Sequence, residues 1–176
     1  DIDENEMKKL HIQHLTTVKS DVGFFVKGLA DQLKSITLPD YSKWVLRCKA
    51  IKDRFPLLAE KQTISEGVDL YRVTSAISKF AKAEDTLVIS STSRCNTAGH
   101  IAFDRKRGQQ SISSMGFGSM GFALPSVVGA YYAGDKRRVI MLEGDGSLQL
   151  NIQEFETIVS NGIDARMFIF NNVGYA

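Results

Sequence analysis

Arg138-Val139-Ile140-Met141-Leu142-Glu143-Gly144-Asp145-Gly146-Ser147 is the stretch on which the fold turns. Arg138 to Leu142 is a short apolar run of the kind that forms a strand buried on both faces, and Gly144-Asp145-Gly146 stops it. Asn151 to Asn161 then reads as a helix with Ile152, Phe155, Ile158 and Val159 inward, and Gly162 stands where a left-handed cap closes it. Arg166 to Phe170 is another apolar run, ending in Asn171-Asn172. Strand, helix and strand at short connections make a right-handed crossover between parallel neighbours. The Gly-Asp-Gly turn and the Asn-Asn pair are therefore expected at one edge of one sheet.

Upstream the same alternation holds. Leu70 to Ala83 is periodic at helical spacing, Thr86 to Ser90 reads as a buried parallel strand, and a glycine-rich turn at Met115 to Gly121 leads into a helix of small residues ending at Gly134. The fold class that follows is α/β, a doubly wound parallel sheet flanked by helices. Ligands on such sheets bind beyond the carboxyl ends of the strands, where every polar turn just named falls. The first sixty residues read differently. A polar helix runs through Leu10, a second spans Val22 to Leu33 behind the Asp21 cap, and a third spans Tyr41 to Phe55 with Trp44, Leu46 or Cys48, and Ile51 on its apolar side. Residues 1–60 are read as the tail of one domain and a helical linker, and residues 61–176 as the sheet domain, with the boundary near Glu60.

Composition excludes several classes. With 43% apolar and 24% charged residues, neither disorder nor a fibrous repeat is expected. A net charge of +2, with bases and acids interspersed, offers no field for nucleic acid or a membrane surface. Cys48 and Cys95 are far apart and in no metal-type spacing, which fits a reducing, cytoplasmic setting. The most apolar stretch, Phe122 to Ala133, is too short to span a bilayer, so a soluble protein is expected.

Twenty-four residues separate Gly146 from Asn171. With one helix and one strand between, this resembles the thiamine-diphosphate fingerprint, GDG followed after about two dozen residues by NN. The resemblance implies a magnesium ion held by the Asp145 carboxylate, the Asn172 amide oxygen and the Gly174 backbone carbonyl, with diphosphate oxygens and a water completing six ligands. Gly144 and Gly146 leave room for backbone to approach phosphate, and the Ser147 hydroxyl, at a helix start, can donate to the anion. Met115 to Pro125 is similar to the glycine-rich segment of acetohydroxyacid synthases and related decarboxylases. By that likeness the Gly118 carbonyl accepts from the aminopyrimidine, Met120 wedges between the cofactor's rings, and Ser119 counts with them as cofactor-binding. After the first strand, Thr92 is the expected hydroxyl donor to the diphosphate, with Ser93 second.

The resemblance spans roughly Trp44 to Ala176. It implies a lyase or transferase acting on a 2-keto acid, acetolactate synthase-like, with thiamine diphosphate and magnesium as cofactors. The protein's part in such chemistry is to position and tune the cofactor. In that family the activating glutamate comes from the pyrimidine domain of a neighbouring subunit, so a homo-oligomer, dimer or tetramer, is implied, and no catalytic residue is assigned to this chain. The chain is read as a fragment, or as part of a longer protein, inactive alone.

Two other readings are open. Gly116-x-Gly118-x-x-Gly121, with Glu143 about twenty residues on, satisfies a dinucleotide fingerprint for NAD(P) or FAD, although Gln109 to Ser114 is too polar for a convincing buried strand before it. A non-catalytic assembly module is the other. His11 and His14 are read as lying one turn apart on a solvated helix face, His100 as a surface histidine in the loop after the first strand, Glu154 and Glu156 as exposed helix acids, and Cys95 as an inert thiol.

Overall fold

The computed structural model describes residues 1–58 and 67–174. The chain divides into two compact units, Asp1–Phe55 and Pro56–Ala176. The boundary expected at Glu60 lies outside the described residues.

The first unit holds α1 (Glu4–Lys8), α2 (Val22–Leu33) and α3 (Ser42–Arg54). Local chemistry starts the first two. Asp3 accepts from the Asn5 amide, and Asp21 accepts from Gly23 and Phe24 at 2.8 and 3.3 Å, satisfying amides that a helix start leaves without partners. None of the three helices has a buried residue, and Trp44, Leu46 and Ile51 are exposed. His11 and His14 follow α1 rather than ride on it, because α1 ends at Lys8, and His14 adopts φ +60°.

The second unit carries the sheet. Its elements are α4 (Leu70–Phe80), β1 (Thr86–Ile89), α5 (Ser93–Ile101), β2 (Ser111–Ile112), α6 (Ala123–Ala133), β3 (Val139–Gly144), α7 (Asp145–Leu148), α8 (Glu154–Ser160) and β4 (Ala165–Phe170). The strand order is β2-β1-β3-β4 and every pairing is parallel. Alternation along the strands divides the core in two. Val88, Val139 and Met141 face one way, onto Leu124, Val127 and Ala130 of α6 and Ile158 of α8. Leu87, Ile89, Ile140 and Leu142 face the other way, with Ile77 of α4 and Phe103. The register agrees, pairing Leu87 with Ile140, Val88 with Met141 and Ile89 with Leu142. Burying each such side chain stabilises by about 1.5–3 kcal/mol, which is why this apolar run reads so clearly as a central strand. The sheet is doubly wound, with helices on both faces.

At the amino ends of the two central strands, Asp85 is 2% exposed and takes both Nε and Nη2 of Arg138, at 3.0 and 2.7 Å. Burial pushes the Asp85 carboxyl up, but the Arg138 guanidinium and the Lys82 amide more than offset it, and the group is held below the usual carboxylate value.

Four local expectations are corrected. A fourth strand, β2, lies inside the polar segment 109–114. It is an outer strand two residues long, secured on the backbone by Leu87 donating to the Gln110 carbonyl at 2.9 Å, so it needs little apolar character of its own. The expected helix 151–161 begins later, at Glu154, after a single 3-10 turn over Gln149–Asn151. Ile158 is buried and Phe155 packs on the core, but Ile152 and Val159 are 53% and 74% exposed. Glu156 is exposed as expected, while Glu154 is half-buried. The helix does close as expected, with Gly162 at φ +60° and Ile163 donating to the Ile158 carbonyl at 3.0 Å.

Candidate functional site

The chain leaves β1 toward β2 on one side and β3 toward β4 on the other, so the crevice between the carboxyl ends of β1 and β3 is the topological switch point of the sheet. A cavity of about 600 Å³ lies there. After β1 it is lined by Thr92, Ser93, Arg94 and Cys95, and after β3 by Gly144, Asp145, Gly146 and Ser147. Beyond β4 it is lined by Asn171, Asn172 and Gly174, and Met120 reaches it from the glycine-rich segment. Of the eleven positions singled out in the sequence, nine line this one cavity; Gly118 and Ser119 do not. Gly67, Val68 and Leu70, just before and at the start of α4, also line it and carry no chemical signature that spacing could have revealed.

The floor is α5. Its cap, Thr92, has extended backbone and makes no side-chain capping bond, so its hydroxyl is left for other partners. The first-turn amides are correspondingly little used: Cys95 N–H reaches Ser93 Oγ only at 3.5 Å. Ser93 itself holds φ +63°. A nine-residue helix pointing poorly satisfied N–H groups into a cavity favours an anion there.

The glycine-rich segment is clamped from the β3 side. Gly121 N–H donates to Ser147 Oγ at 2.8 Å, and Asn151 Nδ2 donates to the Gly121 carbonyl at 2.7 Å. Ser147 thus spends its oxygen on Gly121 and keeps its proton to donate. Asn151 is a residue the sequence reading passed over, since nothing in its spacing says that it reaches back thirty positions. The clamp holds the backbone directly after Met120, which is 37% exposed.

At the far wall three polar groups converge. The Asn172 amide stands 3.0 Å from Asp145 Oδ1 and 2.7 Å from the Gly174 carbonyl oxygen. With its nitrogen turned to them it donates to both; with its oxygen turned to them, three oxygens face one another with no proton between. Among the described residues no group of three or more His, Cys, Asp and Glu side chains could hold a metal ion, so softer metals have no site of that kind.

Cys95 is buried beside this set. Burial pushes its thiol up, against a hydrogen bond with Ser93, and the Glu143 and Asp145 carboxylates add to the rise, so it stays protonated at neutral pH. His100 is on α5, not in a loop, because the helix starts directly behind the strand; its Nε2 meets Ser113 Oγ at 3.2 Å. Burial, and then Arg105, push it below the ordinary histidine value. It does not line the cavity.

Residues 92–176 match the family described as thiamine pyrophosphate enzyme, C-terminal TPP binding domain. These residues belong to that family. The wider chain is similar to the large subunits of acetolactate synthases. It is 28% identical over 173 residues to acetolactate synthase isozyme 1 large subunit of Escherichia coli (strain K12), covering 98% of this chain and 29% of that protein. It is 30% identical over 175 residues to the acetolactate synthase large subunit of Porphyra purpurea, covering 98% and 29%. The corresponding subunit of Parasynechococcus marenigrum (strain WH8102) is 30% identical over 158 residues, covering 88% and 24%. The chain spans less than a third of the length of these relatives.

The TPP-binding fold also answers the dinucleotide alternative. Glu143 is fully buried, its Oε1 accepts from the Gly144 amide at 3.0 Å, and it does not line the cavity, so it offers no carboxylate to a ribose. No helix among the described residues is long and apolar enough to cross a membrane.

Proposed function

We propose that this chain forms the diphosphate and magnesium site of a thiamine-diphosphate-dependent, acetolactate synthase-like enzyme acting on 2-keto acids. The observation that carries the reading is the convergence of the Asp145 carboxylate, the Asn172 amide and the Gly174 carbonyl at 3.0 and 2.7 Å on the cavity wall. Magnesium takes oxygen ligands at about 2.0–2.1 Å in an octahedron, whose adjacent ligands stand about 3.0 Å apart. With its oxygen turned inward, Asn172 would stand about one such edge from both the Asp145 carboxylate and the Gly174 carbonyl, an oxygen set with one charge that fits a hard cation drawing its remaining ligands from phosphate and water.

The space fits as well. Gly144 has an ordinary φ of −91°, and a methyl group there would meet protein only at 3.6 and 3.8 Å, from Cys95 Sγ and Ser93 Oγ. The fold does not require glycine at this point; an occupant of the cavity would. When bound, the thiazolium supplies the carbanion chemistry on a 2-keto acid. The residues of this chain would bind and orient: the α5 amides with the Thr92, Ser93 and Ser147 hydroxyls would donate to the diphosphate, Asp145, Asn172 and Gly174 would hold the cation, and Met120 would present its apolar side chain to the organic part of the cofactor, with the Gly118 carbonyl, beside Ser119, accepting from its aminopyrimidine as the resemblance implies. A neighbouring subunit in a homo-oligomer would supply the pyrimidine-facing acid, the relatives being acetolactate synthases.

Calorimetric titration of thiamine diphosphate with Mg²⁺ into the full-length protein and its Asp145→Ala variant tests the reading. Metal-dependent binding that the variant loses is expected. An unmodified protein that gives no heat and no fluorescence change would favour a non-catalytic assembly module instead.

A further inference from the structure

We infer that Asn171 is a positioning residue that holds Val173 in a left-handed turn so that the Gly174 carbonyl faces the cation. This rests on the cation site proposed above.

Val173 has φ +62°, a conformation that a β-branched residue rarely adopts. Packing does not impose it, since Val173 is 91% exposed. What does restrain the turn is hydrogen bonding. Asn171 Oδ1 accepts from the Val173 amide at 2.8 Å, closing the loop that asparagine makes two residues ahead of itself. The second restraint is the Asn172 amide, which reaches the Gly174 carbonyl at 2.7 Å.

These two restraints do not survive cation binding equally. To ligate a cation, Asn172 must present its oxygen, and it then has no proton to give to Gly174. Among the described residues, the Asn171 to Val173 bond is the one remaining hydrogen bond inside the turn when the site is loaded. Without it, the left-handed residue relaxes toward extended backbone, and the Gly174 carbonyl turns away from Asp145. Asn171 acts on the cation through Val173 and Gly174, not by touching it.

Mn²⁺ serves as the probe, its free fraction followed by electron paramagnetic resonance in the presence of thiamine diphosphate, on the full-length protein. Asn171→Ala is expected to weaken Mn²⁺ binding by about 10- to 100-fold, the range seen when a group supporting a metal ligand is removed. Glycine enters the left-handed region at no steric cost, so Val173→Gly in the Asn171→Ala background is expected to return most of the lost affinity. A residue with a merely structural role would not be rescued by a change two positions away. Wild-type affinity in Asn171→Ala would overturn the inference. So would failure of the double variant to recover, with its circular dichroism and Tm matching the unmodified protein. If the unmodified protein shows no Mn²⁺ binding that depends on Asp145, the cation site itself falls, and the inference with it.

Discussion

Gly121→Ala and Gly144→Ala are the same chemical change at two glycines of the site, and the structure assigns them opposite consequences. At Gly121 the backbone has φ +76°, and an added Cβ would lie 2.7 Å from Asn151 Nδ2 and 2.9 Å from Leu150 Cβ. The left-handed conformation costs an L-residue about 1–2 kcal/mol. Overpacking adds about 1–3 kcal/mol, because Asn151 cannot withdraw without releasing the Gly121 carbonyl it holds at 2.7 Å. Reduced freedom of the unfolded chain returns about 0.4–1 kcal/mol. The net expectation is a loss of about 1–4.5 kcal/mol. At Gly144, with φ −91° and nearest atoms at 3.6 and 3.8 Å, the added methyl strains nothing, and reduced freedom of the unfolded chain should raise stability by about 0.4–1 kcal/mol. The methyl does enter the cavity, so affinity for thiamine diphosphate with Mg²⁺ should fall. Urea unfolding and calorimetric titration of both full-length variants separate the two effects. The reasoning is refuted if Gly121→Ala unfolds within 0.5 kcal/mol of the unmodified protein, or if Gly144→Ala binds the cofactor unchanged.

Arg138→Ala leaves Asp85 buried without its bidentate partner and should destabilise by about 2–4 kcal/mol in equilibrium unfolding, somewhat less than a fully buried pair because Arg138 is 25% exposed. The pH dependence has a definite sign. Asp85 is held below its ordinary value of 3.8, so its contribution is present above that pH and is lost as pH falls through the lowered folded value. The stability gap between the unmodified protein and Arg138→Ala should therefore be constant near neutrality and close in acid; a gap that widens below pH 4 would contradict the assignment. Cys48 is exposed while Cys95 is buried with its thiol pushed up, so iodoacetamide should label Cys48 first, as peptide mapping would show, and thiamine diphosphate with Mg²⁺ should slow Cys95 further. Equal labelling rates at the two positions would refute the burial argument.

What could be read from the residues in order was periodic or punctuated. Val139 to Leu142 is apolar because its side chains are buried on both faces of the sheet, and such a run has few other interpretations. Gly-Asp-Gly and Asn-Asn, each following a strand and joined through one helix, had to return to one sheet edge, and they did. β2 was not legible, since an outer strand two residues long is held by its neighbour's backbone and leaves no hydrophobic mark. The inward face of α8 is narrower than its apolar residues suggest: Phe155 and Ile158 pack on the core, while Val159 on the same helix and Ile152 just ahead of it meet solvent. Asn151 on Gly121, Glu143 withdrawn from the cavity and the left-handed Val173 are likewise decided in three dimensions. Hydrogen bonds between residues far apart in sequence, and the direction a side chain takes from a strand, depend on which elements become neighbours. Local spacing determines the elements and the edge at which they end; only packing decides which atoms meet there.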